Sequence, residues 1–90
     1  MSDDLAKRRK QLKFRSWHRG TKEADLLLGN FADQHLAAMD AAQLDRYEVI
    51  LDQPDPVVYQ WFTGESQPAE HLLNDVTQLL LNFRYTPEKL

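Results

Sequence analysis

Ala24, Leu27, Leu28 and Phe31 stand at the i, i+3, i+4, i+7 spacing that places apolar side chains on one face of a helix. The same period runs through most of the chain. Leu44, Tyr47, Ile50 and Leu51 mark one inner face, and Val57, Val58, Trp61 and Phe62 another. Leu72, Leu73, Val76, Leu79, Leu80 and Phe83 give the longest stripe. Residues before Trp17 carry sparser apolar positions, Leu5, Ala6, Leu12 and Phe14, in a segment that Asp3 and Asp4 can open as a helix. No segment alternates with period two, so no strand is expected.

Breaks and caps divide this pattern into an all-α, small single-domain bundle of about five helices. Gly20 ends the first, and a second starts near Thr21 and frays between His35 and Met39. Gly29 lies inside that second helix, at a cost of about 1 kcal/mol against Ala unless close packing requires it. Asp40 and Gln43 form an Asp version of the capping box for a third helix ending near Leu51. Asp55 is expected to cap a fourth, with Pro56 at its first position and Gly64 as its left-handed end. The fifth is expected to begin at Pro68 or Ala69. The single domain covers 1–90, with 1–6 and 84–90 expected to be loose. The expected core is Leu27, Leu28, Phe31, Leu44, Tyr47, Val58, Trp61, Phe62, Leu72, Val76, Leu79, Leu80 and Phe83.

Ninety residues leave room for one domain with a modest core. The chain has no Cys, which removes disulfides, thiolate nucleophiles and Cys-based zinc sites. No apolar run approaches the ~20 residues of a membrane span, and no apolar segment follows the basic N-terminus as in a secretory signal. A cytoplasmic protein without direct membrane insertion is expected, a monomer by default. Charge changes the picture more. Residues 1–22 carry eight Lys/Arg and two acids, a balance of +6, whereas the rest of the chain stands at −9. Such a split points either to an acidic or phosphate-bearing partner or to a solvated basic helix face.

Catalytic patterns are nearly absent. His18, His35 and His71 lie in three different segments without a histidine partner at helical spacing, so no metal site is expected. There is no phosphate-binding glycine loop, hence no expected cofactor site, and neither Ser16 nor Ser66 has a nucleophile-elbow setting. Residues 7–15 contain six basic residues and could contact phosphates, which keeps a nucleic-acid-binding helical protein as an alternative. The acidic remainder would repel a polyanion, and no recognition helix is visible, so nucleic acid is not the expected partner.

The stretch Trp17-His18-Arg19-Gly20-Thr21-Lys22-Glu23 is the most informative. It reads either as a plain helix junction, with Arg19 and Glu23 pairing locally, or as a recognition surface. Arg19-Gly20-Thr21-Lys22-Glu23 resembles the R-G-x-x-E signature of the SdhE family, bacterial flavinylation factors with a mitochondrial counterpart among the succinate dehydrogenase assembly factors. The likeness extends through Asp25–Phe31, Tyr47-Glu48, Asp52–Asp55 and Trp61-Phe62-Thr63-Gly64, over roughly residues 7–83. Thr21 stands where Met is common and Ala24 where Leu is common.

The resemblance implies a small helical protein, itself no enzyme, that binds the flavoprotein subunit of succinate dehydrogenase, and often of fumarate reductase. It would promote covalent attachment of FAD to a histidine of that client. By carry-over, Arg19, Gly20 and Glu23 belong at the client interface. Arg19 would offer a forked donor, Gly20 close backbone approach, and Glu23 an acceptor or a brace for Arg19. Arg8, Arg9, Trp17 and His18 join them as partner-binding candidates, since Arg and Trp are enriched at interface hot spots. As junction residues, Arg19, Gly20 and Glu23 are expected to be exposed and cheap to replace. An antitoxin-like interaction with an inner-membrane protein is a rival role within the same family.

Overall fold

The computed structural model describes residues 2–84, with side chains from Asp4 onward; Met1 and most of the expected loose tail, 85–90, lie outside the described residues. The described residues form five α-helices joined by short turns. They are α1 (Ser2–Trp17), α2 (Lys22–His35), α3 (Ala41–Leu51), α4 (Asp55–Thr63) and α5 (Asp75–Asn82). Leu36–Ala38 and Glu70–Leu72 are single 3-10 turns. The fold is all-α, and no strand occurs among the described residues.

Several boundaries follow from local chemistry. Thr21 accepts a hydrogen bond from the Ala24 N–H at the start of α2. Asp40 and Gln43 form the full reciprocal capping box of α3. Gly64 ends α4 at φ 88°, a left-handed conformation open to glycine. The expected fraying of α2 is the 3-10 turn Leu36–Ala38.

Two expectations need correction. Asp55 does not cap α4. Pro54 holds the cap position without a side-chain bond, Asp55 is already helical, and its carboxylate is taken by Arg19. The C-terminal stripe is also not one helix. The Asn74 side chain accepts hydrogen bonds from the N–H groups of Val76 and Thr77, and the Thr77 hydroxyl accepts the Asn74 N–H in turn, so α5 starts at Asp75. The late start leaves Leu72 and Leu73 outside the helix. Val76, Leu80 and Phe83 point inward, whereas Leu79 and Leu73 are exposed and Leu72 is half-buried.

α2 packs antiparallel on α1, as the Trp17–Asp33 and Arg9–Met39 contacts require. α3 also packs on α1, with Tyr47 reaching Phe31 of α2, while α4 packs on α2 and α5, and α5 on α3. The core draws Leu12 from α1, Leu27, Leu28 and Phe31 from α2, and Leu44, Tyr47 and Ile50 from α3. Val58 and Trp61 from α4, and Val76 and Leu80 from α5, complete it, with Phe62 packed at its edge. Leu36 and Met39 are also buried and were not among the expected core residues. Ser16, fully buried, donates to the Leu12 carbonyl at 2.7 Å and accepts from the Tyr47 hydroxyl at 2.6 Å. This satisfies the polar atoms that burial would otherwise make costly. Burial pushes the Tyr47 phenol well above its ordinary range.

Gly29 has a tertiary reason. A Cβ added there would fall inside the Trp17 indole, so glycine at this point lets the ring lie directly on the α2 backbone.

Candidate functional site

The α1–α2 junction is built by a few exact partners. Gly20 takes φ 113°, which an L-residue adopts only under strain. The Asp25 carboxylate, one turn into α2, reaches back to accept the Arg19 N–H at 2.6 Å and the Gly20 N–H at 3.3 Å. The Arg19 side chain crosses to the α3–α4 turn. Its Nε lies 2.8 Å and its Nη2 2.7 Å from Asp55 Oδ1, and Nη2 also donates to the Gln53 carbonyl at 3.1 Å. The two side chains are only 10% and 20% exposed. Arg19 therefore faces inward as a clamp between two turns. It does not pair with Glu23, and it is not the exposed, cheaply replaced residue the sequence suggested.

Gly20, Thr21, Lys22 and Glu23 are four consecutive exposed residues. Glu23 has no hydrogen-bond or ion-pair partner among the described residues. Concave surface flanks this segment on two sides. A groove of about 620 Å³ is lined by Trp17, His18, Gly20, Thr21, Lys22, Asp25 and Leu26. A second, of about 480 Å³, is lined by Thr21, Glu23, Ala24, Asp55, Pro56 and Tyr59. Thr21 belongs to both walls, so Gly20–Glu23 is a ridge with a carboxylate on one slope and an ammonium on the other.

Trp17 and His18 border the ridge. Trp17 is half-buried on Gly29 and donates its indole N–H to Asp33 at 3.2 Å. His18 is exposed, stacks on Phe14 with ring centroids 4.0 Å apart, and bonds the Phe14 carbonyl through Nδ1 at 2.8 Å. Arg8 and Arg9 are not part of this cluster. They lie more than two helical turns back, roughly 13 Å along α1 from Trp17, and face other elements. Arg8 pairs with Asp45 at 2.6 Å and Glu48 at 3.0 Å, bonds that hold its guanidinium even more firmly protonated. Arg9 donates to the Met39 carbonyl at 2.6 Å. Arg15 joins Glu48 and Asp52 on the same seam. Two of the eight N-terminal basic residues, Arg8 and Arg15, are thus matched by acids of α3 and its C-cap Asp52, while Lys13 pairs with Asp33 of α2.

Asp25 and Asp55 were missed as site residues. Asp25 reads in sequence as a first-turn acid suited to the helix dipole, and Asp55 as a cap; nothing local signals that both hold the turn at Arg19–Gly20. Among the described residues no group of His, Asp or Glu could hold a metal ion. None of the described helices is long and apolar enough to cross a membrane. A braced, exposed ridge with one unpaired carboxylate is equipped for recognition.

The family model described as "flavinator of succinate dehydrogenase" matches residues 10–84. The FAD assembly factor SdhE of Acetobacter pasteurianus is 47% identical over 62 residues, 69% of this chain and 57% of that protein. The mitochondrial succinate dehydrogenase assembly factor 2 of Dictyostelium discoideum is 35% identical over 77 residues, covering 86% and 55%. The protein of the same name from Candida glabrata is 38% identical over 93 residues, covering 99% and 61%. The chain thus spans little more than half the length of these relatives. No solved structure is a significant match. The matched region runs from the middle of α1 through all of α2–α5 and includes the whole Arg19–Glu23 ridge, and on that ground the chain belongs to the family of succinate dehydrogenase flavinators, its assembly factors.

Proposed function

We propose that this chain binds the flavoprotein subunit of succinate dehydrogenase and promotes covalent attachment of FAD to it, with the Gly20–Glu23 ridge as the contact surface. The observation that carries the reading is the ridge itself: four exposed residues of the signature, braced from below by Asp25 and the Arg19–Asp55 clamp. In this arrangement Glu23 is the outward acceptor for client donors, and Gly20 keeps the backbone low enough for close approach. Arg19 acts as a positioning residue, holding the ridge in shape from inside. In this reading the chain acts by positioning: holding the client histidine and flavin in alignment is a sufficient source of rate. Arg8 and Arg15 of α1 are turned onto acids of α3 and its C-terminal end, which weighs against a phosphate-reading role.

The test is co-expression with the flavoprotein subunit, reading covalent flavin as fluorescence that survives denaturation. Glu23→Ala, which leaves no internal partner behind, should melt like the parent and lower client flavin several-fold. Gly20→Ala and Gly20→Arg both carry the φ strain and should melt lower than the parent by a similar amount, and Gly20→Arg should lower client flavin further because only Arg adds bulk. Parental flavin levels in Glu23→Ala and Gly20→Arg, or in the absence of the chain, would refute the proposal.

A further inference from the structure

The arginines of α1 leave its opposite face unexplained. On a helical projection Arg8, Leu12, Arg15 and Ser16 share the inner side, and Lys7, Lys10 and Phe14 the outer one, with His18 at its edge. All four of these outer residues are exposed, and Phe14, at 63%, is the most exposed large apolar side chain among the described residues. Neither Lys7 nor Lys10 has an ion-pair partner among the described residues.

A single exposed apolar residue needs no explanation in general. Phe14 differs in two respects. Its ring is held in place: it stacks on His18 at 4.0 Å and 20°, and the imidazole is tied by Nδ1 to the Phe14 carbonyl. A pre-ordered aromatic loses little conformational freedom on binding. It is also continuous with the ridge, because His18 lines the same groove as Gly20, Thr21 and Lys22. Lys22 on the ridge and Lys7 and Lys10 on α1 flank the stack with positive charge.

We infer that the outer face of α1, centred on the Phe14–His18 stack, is a second contact surface for the same flavoprotein client, fitting an apolar pocket with an acidic rim. The inference rests on the proposed function for its partner, and extends the client footprint about two turns along α1. The inward turn of Arg8 and Arg15 favours a protein surface over nucleic acid, since the forked donors suited to phosphate are engaged on α3.

The test titrates the purified flavoprotein subunit into the purified chain by calorimetry, comparing the parent with Phe14→Ala, the Lys7→Glu/Lys10→Glu pair and Glu23→Ala. Phe14→Ala should melt within a few degrees of the parent and bind roughly tenfold or more weakly, the scale of a hot-spot aromatic. The lysine pair should bind more weakly and lose the salt dependence of the parent. If Phe14→Ala binds like the parent while Glu23→Ala is weakened, the inference falls and the ridge proposal stands. If the parent does not bind the subunit, both fall. Self-association or duplex DNA binding that disappears in Phe14→Ala, with subunit binding intact, would assign the face to another partner and overturn the inference.

Discussion

Removing either end of the Arg19–Asp55 clamp should cost far more than a surface ion pair, and removing both should cost little more than removing one. The pair sits at 2.7–2.8 Å with side chains 10% and 20% exposed. Charges about 4 Å apart attract by roughly 4 kcal/mol at an effective dielectric near 20, before desolvation is subtracted. Breaking a fully buried pair from one side costs about 3–5 kcal/mol, because the survivor is left uncompensated. Water reaches the Asp55 side enough to lower that, to about 2 kcal/mol for Asp55→Ala. Arg19→Ala also loses the bond to Gln53, adding about 1 kcal/mol. For a chain of this size, 2–3 kcal/mol lowers the melting temperature by about 10–20 °C. The assay is a double-mutant cycle by urea unfolding, following helicity, with the denaturant slope held common. The double variant should fall within about 0.5 kcal/mol of Arg19→Ala, a coupling near 2 kcal/mol. Single costs below about 0.5 kcal/mol, or costs that simply add, would show that the clamp does not hold the two turns together.

Gly29→Ala should displace Trp17 from the α2 backbone. The strain, about 1–3 kcal/mol, outweighs or cancels the helix-propensity gain of about 1 kcal/mol, and Trp17 emission should shift to the red; an unshifted emission with a raised melting temperature would contradict the packing. Tyr47→Phe tests burial through pH. The folded-state pKa of Tyr47 lies above the ordinary value near 10, so an unfolded Tyr47 ionises first on the alkaline side, and its contribution to stability is full below pH ~10 and declines above it. Tyr47→Phe should therefore be less stable than the parent at pH 8, having lost the Ser16 bond, with the gap narrowing from pH 10 to 11; a constant gap across that range would place the phenol in contact with water.

Much of the fold was legible because its signals act over three or four residues. The Asp40–Gln43 box, the Gly64 end and the i, i+3, i+4 spacing of Leu27, Leu28 and Phe31 each operate within one helical turn. The same locality made the C-terminal stripe misleading. Six apolar residues at helical spacing read as one helix from Pro68 or Ala69, but Asn74 and Thr77 cap a shorter one, and Leu79 rotates outward.

The site divides in the same way. The five-residue signature, its exposure at Gly20 and Glu23, and the membership in an assembly-factor family are all carried by residues 19–23 and their matched surroundings in sequence. The inward turn of Arg19 was not, because its partner is 36 positions away. Nor was the neutralisation of Arg8 and Arg15, whose acids lie 33 to 40 positions on and become neighbours only when α3 docks beside α1. Charge counted along a chain says how much there is. Which charges remain to meet a partner is decided by packing: Arg19, 2.7 Å from Asp55 and shielded from water, is committed before any client arrives, whereas Arg8 and Arg15 sit in half-exposed pairs on α3.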